Sequence, residues 1–163
     1  MSEQHRKHWL MKTEPDVFSF DDLVARPNRI EPWDGIRNYQ ARNFMRDDFK
    51  LGQLVFIYHS NCAVPGIAGI AEVVAEAYPD HTALDPKCKY YDKKSHEAGA
   101  SRWVMVDVKA THVMSNFVSL SSLKELGELE GMALLQRGQR LSIQPVISEH
   151  WKVICKLGKP VLL

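Results

Sequence analysis

Cysteine is scarce in this chain and shows no pairing pattern. Cys62, Cys88 and Cys155 are widely spaced, odd in number and form no C-x-x-C. That excludes a disulfide framework and suits free thiols in a reducing compartment. His5 and His8 lie close together, but no second pair of ligands follows at a matching spacing, so neither a metal nor a cofactor is expected. Long apolar runs are also missing. Nothing approaches the roughly 18 residues of a membrane helix, and the opening MSEQHRKHW lacks the apolar segment of a secretory signal. No membrane partner is expected, and the protein should stay in the compartment where it is made. An excess of one charge is absent too: 21 Lys and Arg against 20 Asp and Glu leave a formal net charge of +1. This argues against gripping long nucleic acid mainly by neutralising phosphates, but leaves room for reading a single base. There is no G-x-G-x-x-G between a strand and a helix and no P-loop, which disfavours a Rossmann fold. No nucleophile elbow surrounds Ser60, which makes it a poor hydrolase nucleophile.

What remains is an ordinary globular composition, 45% hydrophobic and 25% charged over 163 residues, enough for one domain with a real core. Residues 1–7 read as a flexible tail and 8–163 as a single monomeric domain without repeats or linkers. HWLMK (8–12) is a compact strand that ends at Pro15. Ser19 with Asp22 three residues on caps a short helix, and Asn38 caps a second, YQARNFMRDD. QLVFIYHS (53–60) and GIAGIAEVVAEAY (66–78) read as strands, the small residues of the second allowing close approach of another group. RWVMVDVKATHV alternates, with Val104, Val106 and Val108 on one face. SLSSLKEL is a further short capped helix. RLSIQPV reads as a strand stopping at Pro145, and Ser148 as the cap of a last helix with Trp151, Ile154 and Cys155 on one face. Short strands interleaved with short helices, without a regular βαβ rhythm, predict an α+β protein: a curled mixed sheet or small barrel flanked by helices.

The chemistry-bearing residues gather in a few places. In EPWDGIRNYQARNF, Trp33 precedes the Asp34-Gly35 turn, and Asn38 follows at a helix start. Trp33 is either a core residue beside a turn or one wall of a pocket. An indole face plus a side-chain amide is what recognition of a heterocyclic base needs, stacking for affinity and paired hydrogen bonds for identity. In MKTEP, alternation sends Lys12 and Glu14 to one face and Thr13 to the other. They form either an exposed ion pair or the mouth of the same pocket. Tyr58, His59, Ser60 and Asn61 end an apolar strand with four consecutive hydrogen-bonding side chains. His59 taken alone reads as structural more readily than catalytic. Arg137 and Arg140 flank Gly138 as a solvated basic turn or a phosphate-contacting rim. Trp103 offers a second aromatic wall or simply fills the barrel.

Together WLMKTEPDVFSFDDL, WDGIRNYQARNFMRD, VFIYHSN with GIAGIAEVVAEAYPD, RWVMVDV and LLQRGQRLSIQPV resemble the EVE domain family. That family comprises bacterial stand-alone EVE proteins and the eukaryotic thymocyte nuclear protein group. The resemblance runs from about Trp9 to Trp151. It implies a PUA-like fold related to YTH and ASCH domains, and a pocket for a modified cytosine or adenine flipped from DNA or RNA. By position, the Trp33 segment is similar to the one supplying a cage tryptophan in YTH domains. Lys12-Thr13 and Asn38 occupy matching places, and Ser60 and Asn61 are carried over with them. Cytoplasmic location in a bacterium, or nuclear in a eukaryote, follows from the same resemblance. A binding module is thus favoured over an enzyme. The rival is a hydrolase of modified nucleosides, as in ASCH-type relatives, with Lys12, Thr13 and Glu14 as the chemical groups. A protein-interaction domain would carry no polar-lined aromatic pocket.

Overall fold

The structure, a computed structural model, describes residues 7–163. The expected flexible tail lies outside the described residues apart from Lys7, whose ammonium meets Asp48 at 3.3 Å. Among the described residues seven strands form one curled, unclosed sheet in a mixed α+β architecture. They are β1 (His8–Thr13), β2 (Ile30–Trp33), β3 (Leu54–His59), β4 (Gly66–Pro79), β5 (Val104–Ser119), β6 (Ile143–Val146) and β7 (Pro160–Leu162). Their order is β2-β5-β4-β3-β1-β6, with β7 also on β5. Among the described residues only β1 and β3 pair in parallel; the remaining pairings are antiparallel.

The helices are short: α1 (Phe20–Ala25), α2 (Tyr39–Asn43), α3 (Lys93–Ala98), α4 (Leu120–Lys124) and α5 (Ser148–Gly158). The sheet is buried on both faces. In β1, Trp9 and Met11 enter one core with Phe20, Leu23 and Met45, while Leu10 enters the other with Phe56, Ile67, Trp151 and Ile154. Period-2 alternation thus serves two cores at once. Register shifts at four places along the β4–β5 pairing bend these two long strands, as bulges do, and curl the sheet. The small residues of β4 have a definite use: a Cβ on Gly69 would lie 2.2 Å from the Phe20 ring, so glycine lets α1 dock on the strand.

The capping box of α1 is complete, with Asp22 N donating to Ser19 Oγ and Ser19 N donating to Asp22 Oδ2. Three boundaries differ from the sequence reading. α2 stops at Asn43 and the chain continues as one π turn, Phe44–Asp48, closed by Phe49 N donating to Phe44 O. β6 runs through Pro145, which pairs opposite Trp9; a proline fits there because β6 is an edge strand with β1 as its one partner in the sheet. Ser148 is the first residue of α5 and makes no side-chain cap bond, with Ile147 at the cap position.

Candidate functional site

The curl brings the ends of β1 and β2, which three other strands separate in the sheet, to the rim of one cavity of about 470 Å³. The β2 wall is Trp33, its last residue, 8% exposed and backed edge-on by the Phe18 ring at 5.9 Å. The next turn is locked from behind. Gly35 sits at φ +79°, and a Cβ there would lie 2.5 Å from the Tyr90 ring, so only glycine fits. Its N–H donates to Asp80 Oδ2 at 3.0 Å. Arg37 donates to the same oxygen at 3.0 Å, to Tyr90 O from two nitrogens and to Ile36 O. Asp80 is fully buried. Burial pushes its carboxyl up, but donors from Thr82, Gly35 and Arg37 outweigh that and hold it below the usual carboxylate range.

The β1 wall is built by a tight turn. Thr13 Oγ1 donates to Phe18 O at 2.5 Å, and Glu14 O accepts from both Val17 N and Phe18 N. Regular pleating ends at Thr13, so Lys12, Thr13 and Glu14 all border the cavity. This differs from the separation that simple alternation predicts. Ser60 N donates to Thr13 O, and Lys12 N to Ser142 O, which adds Ser60 and Ser142 to the lining. Partial burial lowers the Lys12 ammonium from its ordinary range. Lys89, Tyr90 and Arg140 close the remaining side.

Of the residues singled out in the sequence, Lys12, Thr13, Glu14, Trp33, Ser60 and Arg140 line the cavity. Six others do not. Asn38 caps α2, its Oδ1 accepting from Ala41 N at 3.0 Å. Tyr58 points into the second core. His59 Nε2 accepts from Phe20 N at 3.0 Å, so this ring is a second cap on α1; burial lowers its pKa and Asp21 opposes the shift. Asn61, at φ +51°, reaches back to Glu14 Oε1 at 3.3 Å. Trp103 is 4% exposed, donates its indole N–H to Asp92 at 2.9 Å and stacks on Tyr39. Arg137 is on the exposed turn around Gly138. The sequence reading did not place Phe18, Asp34, Lys89 or Tyr90 in the lining. The adjacent tyrosines of CKYYDKK were the available signal, two aromatics in a segment with no strand or helix period.

The EVE domain family model matches residues 7–157, and the chain belongs to this family. Thymocyte nuclear protein 1 of Gallus gallus and of Homo sapiens are each 45% identical over 167 residues; the alignment spans 92% of this chain and 68% and 73% of theirs. Among solved structures, human THYN1 in complex with 5-methylcytosine-containing DNA superposes with a TM-score of 0.88 at 45% identity, covering 94% of this chain and 98% of that one. A Pseudomonas syringae protein gives 0.85 at 46% identity, covering 92% and 98%. An ASCH protein from Zymomonas mobilis gives 0.51 at 11% identity over 93% and 99%, a likeness of fold alone.

Proposed function

We propose that this chain is a DNA-binding reader of a modified cytosine, taken out of the stack into the Trp33 cavity. The observation that carries the reading is the human THYN1 complex with 5-methylcytosine-containing DNA, a structure alike over nearly the whole length of both chains. The cavity is physically suited to one base. Its volume falls at the lower end of small-ligand pockets. Trp33 offers an aromatic face, and the strand ends around it offer polar groups for the base edge. With a net charge of +1, affinity rests on this pocket and a short rim of Lys89 and Arg140 instead of a long electrostatic track. A modified adenine and RNA are further substrates to include in any panel. The working state is taken as a monomer, nuclear in a eukaryote and cytoplasmic in a bacterium.

The test is titration of matched oligonucleotides that differ only in the modification. The expected preference for the modified base over its parent is roughly ten- to several-hundred-fold, from about one good polar contact plus one buried methyl group. Equal affinity across the whole panel would overturn the reading. A second reading, hydrolysis of modified nucleosides, draws on Lys12, Thr13 and Glu14 bordering one cavity. Against it, the Thr13 hydroxyl already donates to Phe18 O. Incubation with modified nucleosides is expected to yield no product.

A further inference from the structure

Three carboxylates border the cavity, and they are not equivalent. Glu31 is ion-paired with Arg26 at 2.7 Å. Glu14 accepts from the Asn61 amide at 3.3 Å. Asp34 has no ion pair and no side-chain hydrogen-bond partner among the described residues; its carboxyl meets only its own backbone N–H. It stands between Trp33 and Gly35, on a turn that Asp80 and Arg37 hold from behind. It is therefore an exposed acceptor on a held turn, next in sequence to the aromatic wall and open to a ligand in the cavity. On the β1 side of the same cavity, Lys12 is a donor that forms no ion pair among the described residues.

We propose that Asp34 identifies the bound base as a cytosine by accepting a hydrogen bond from its exocyclic 4-amino group. The inference rests on the base-reading function proposed above. Cytosine carries a donor, N4–H₂, at one end of its polar edge and an acceptor, O2, at the other. Acceptor Asp34 and donor Lys12, on different walls, match that polarity. Thymine puts the acceptor O4 where the amino group would be, and two acceptors then face each other with no proton between them. The 5-methyl group does not distinguish these two bases, since thymine and 5-methylcytosine both carry it. A pocket that reads only the methyl group would therefore accept the deamination product as well. Asp34 makes that distinction. Partial burial, then the fixed charge of Asp80, raise its carboxyl from the ordinary range, although the residue remains exposed at the cavity rim.

The experiment compares duplexes carrying 5-methylcytosine or thymine opposite an abasic site, so that neither base has a pairing partner to lose. Wild type is expected to favour 5-methylcytosine by roughly ten- to a hundredfold. Asp34→Asn keeps an acceptor for the amino group and adds a donor for O4. It should hold 5-methylcytosine within a few-fold, gain thymine, and lower the preference to about threefold or less, with an unchanged melting temperature. Thymine and 5-methylcytosine bound equally by wild type, or a wild-type preference kept by a folded Asp34→Asn variant, would overturn the assignment to Asp34. Failure of wild type to bind 5-methylcytosine in any context would instead overturn the base-reading function beneath it.

Discussion

Trp33 and Trp103 are almost equally buried, 8% and 4% exposed, and both follow sequence contexts that suggest an aromatic wall. Their surroundings divide them. Trp103 has its indole N–H bound to Asp92, one face stacked on Tyr39 at 4.9 Å, and the guanidiniums of Arg37, Arg42 and Arg102 within 6 Å of its ring. Its interactions are saturated from within the protein. Trp33 packs on Phe18 and the first core on one side, borders the cavity on the other, and has no hydrogen bond from its indole N–H among the described residues. Burial alone does not distinguish a structural aromatic from one that is open to a ligand; what the ring already touches does.

Truncating each tryptophan in turn should separate their roles most strongly. Trp103→Ala should cost about 3–5 kcal/mol of stability, since it empties a packed site and removes a donor from Asp92. Chemical denaturation measures this, and a loss below about 1 kcal/mol would mean the Tyr39–Trp103–Asp92 cluster is peripheral. Trp33→Ala should weaken base binding by about 1–3 kcal/mol, the range for a lost stacking platform. Because Trp33 also belongs to the first core, the fold should lose stability as well, so Trp33→Leu, which keeps more of the packing, is the cleaner binding variant. Unchanged affinity in a folded Trp33→Leu protein would remove the indole from the site.

Acid should separate the two regions next. Hydrogen bonds from Arg102, then Ser95 and Trp103, hold the Asp92 carboxyl well below the usual carboxylate range, although burial opposes them. A depressed folded-state pKa contributes stability that is present above the unfolded value, near about 3.9, and is lost as pH falls below it. Asp92→Asn should therefore be less stable than wild type at neutral pH by about 2 kcal/mol, with the gap narrowing in acid. A gap constant with pH would show that charge at Asp92 is irrelevant. The smallest effect concerns the rim. The slope of log affinity against log salt should be shallow, about −1 to −3, and Arg140→Ala should reduce it by about 1 while Arg137→Ala changes it less. A slope near −6 would require a basic track elsewhere.

Local chemistry made much of the fold legible. The Ser19/Asp22 box, the Asn38 cap and the apolar strands all act within a few residues, and each stands where its sequence signal puts it. The candidate site was legible only in part, for the same reason. Trp33, Lys12-Thr13, Ser60 and Arg140 border the cavity, but Asn38 and His59, equally polar and equally suggestive, have their acceptors turned to helix N–H groups. A side chain that can bond a ligand can also bond the backbone, and sequence does not say which partner is nearer.

Read from the sequence alone are a chain folded around a mixed sheet, a Gly35 turn after an indole, and nearly balanced charge. These follow from residue type and spacing. Tertiary structure decided the rest. It set β1 beside β3 and carried β2 across to β5, so that strand ends far apart in sheet order share one cavity. It brought Tyr90 against Gly35 and placed Asp80 behind the turn, contacts spanning more than forty residues. The sheet's curl decides which three carboxylates meet around one space, and the neighbours each one finds there leave Asp34 without a side-chain partner among the described residues.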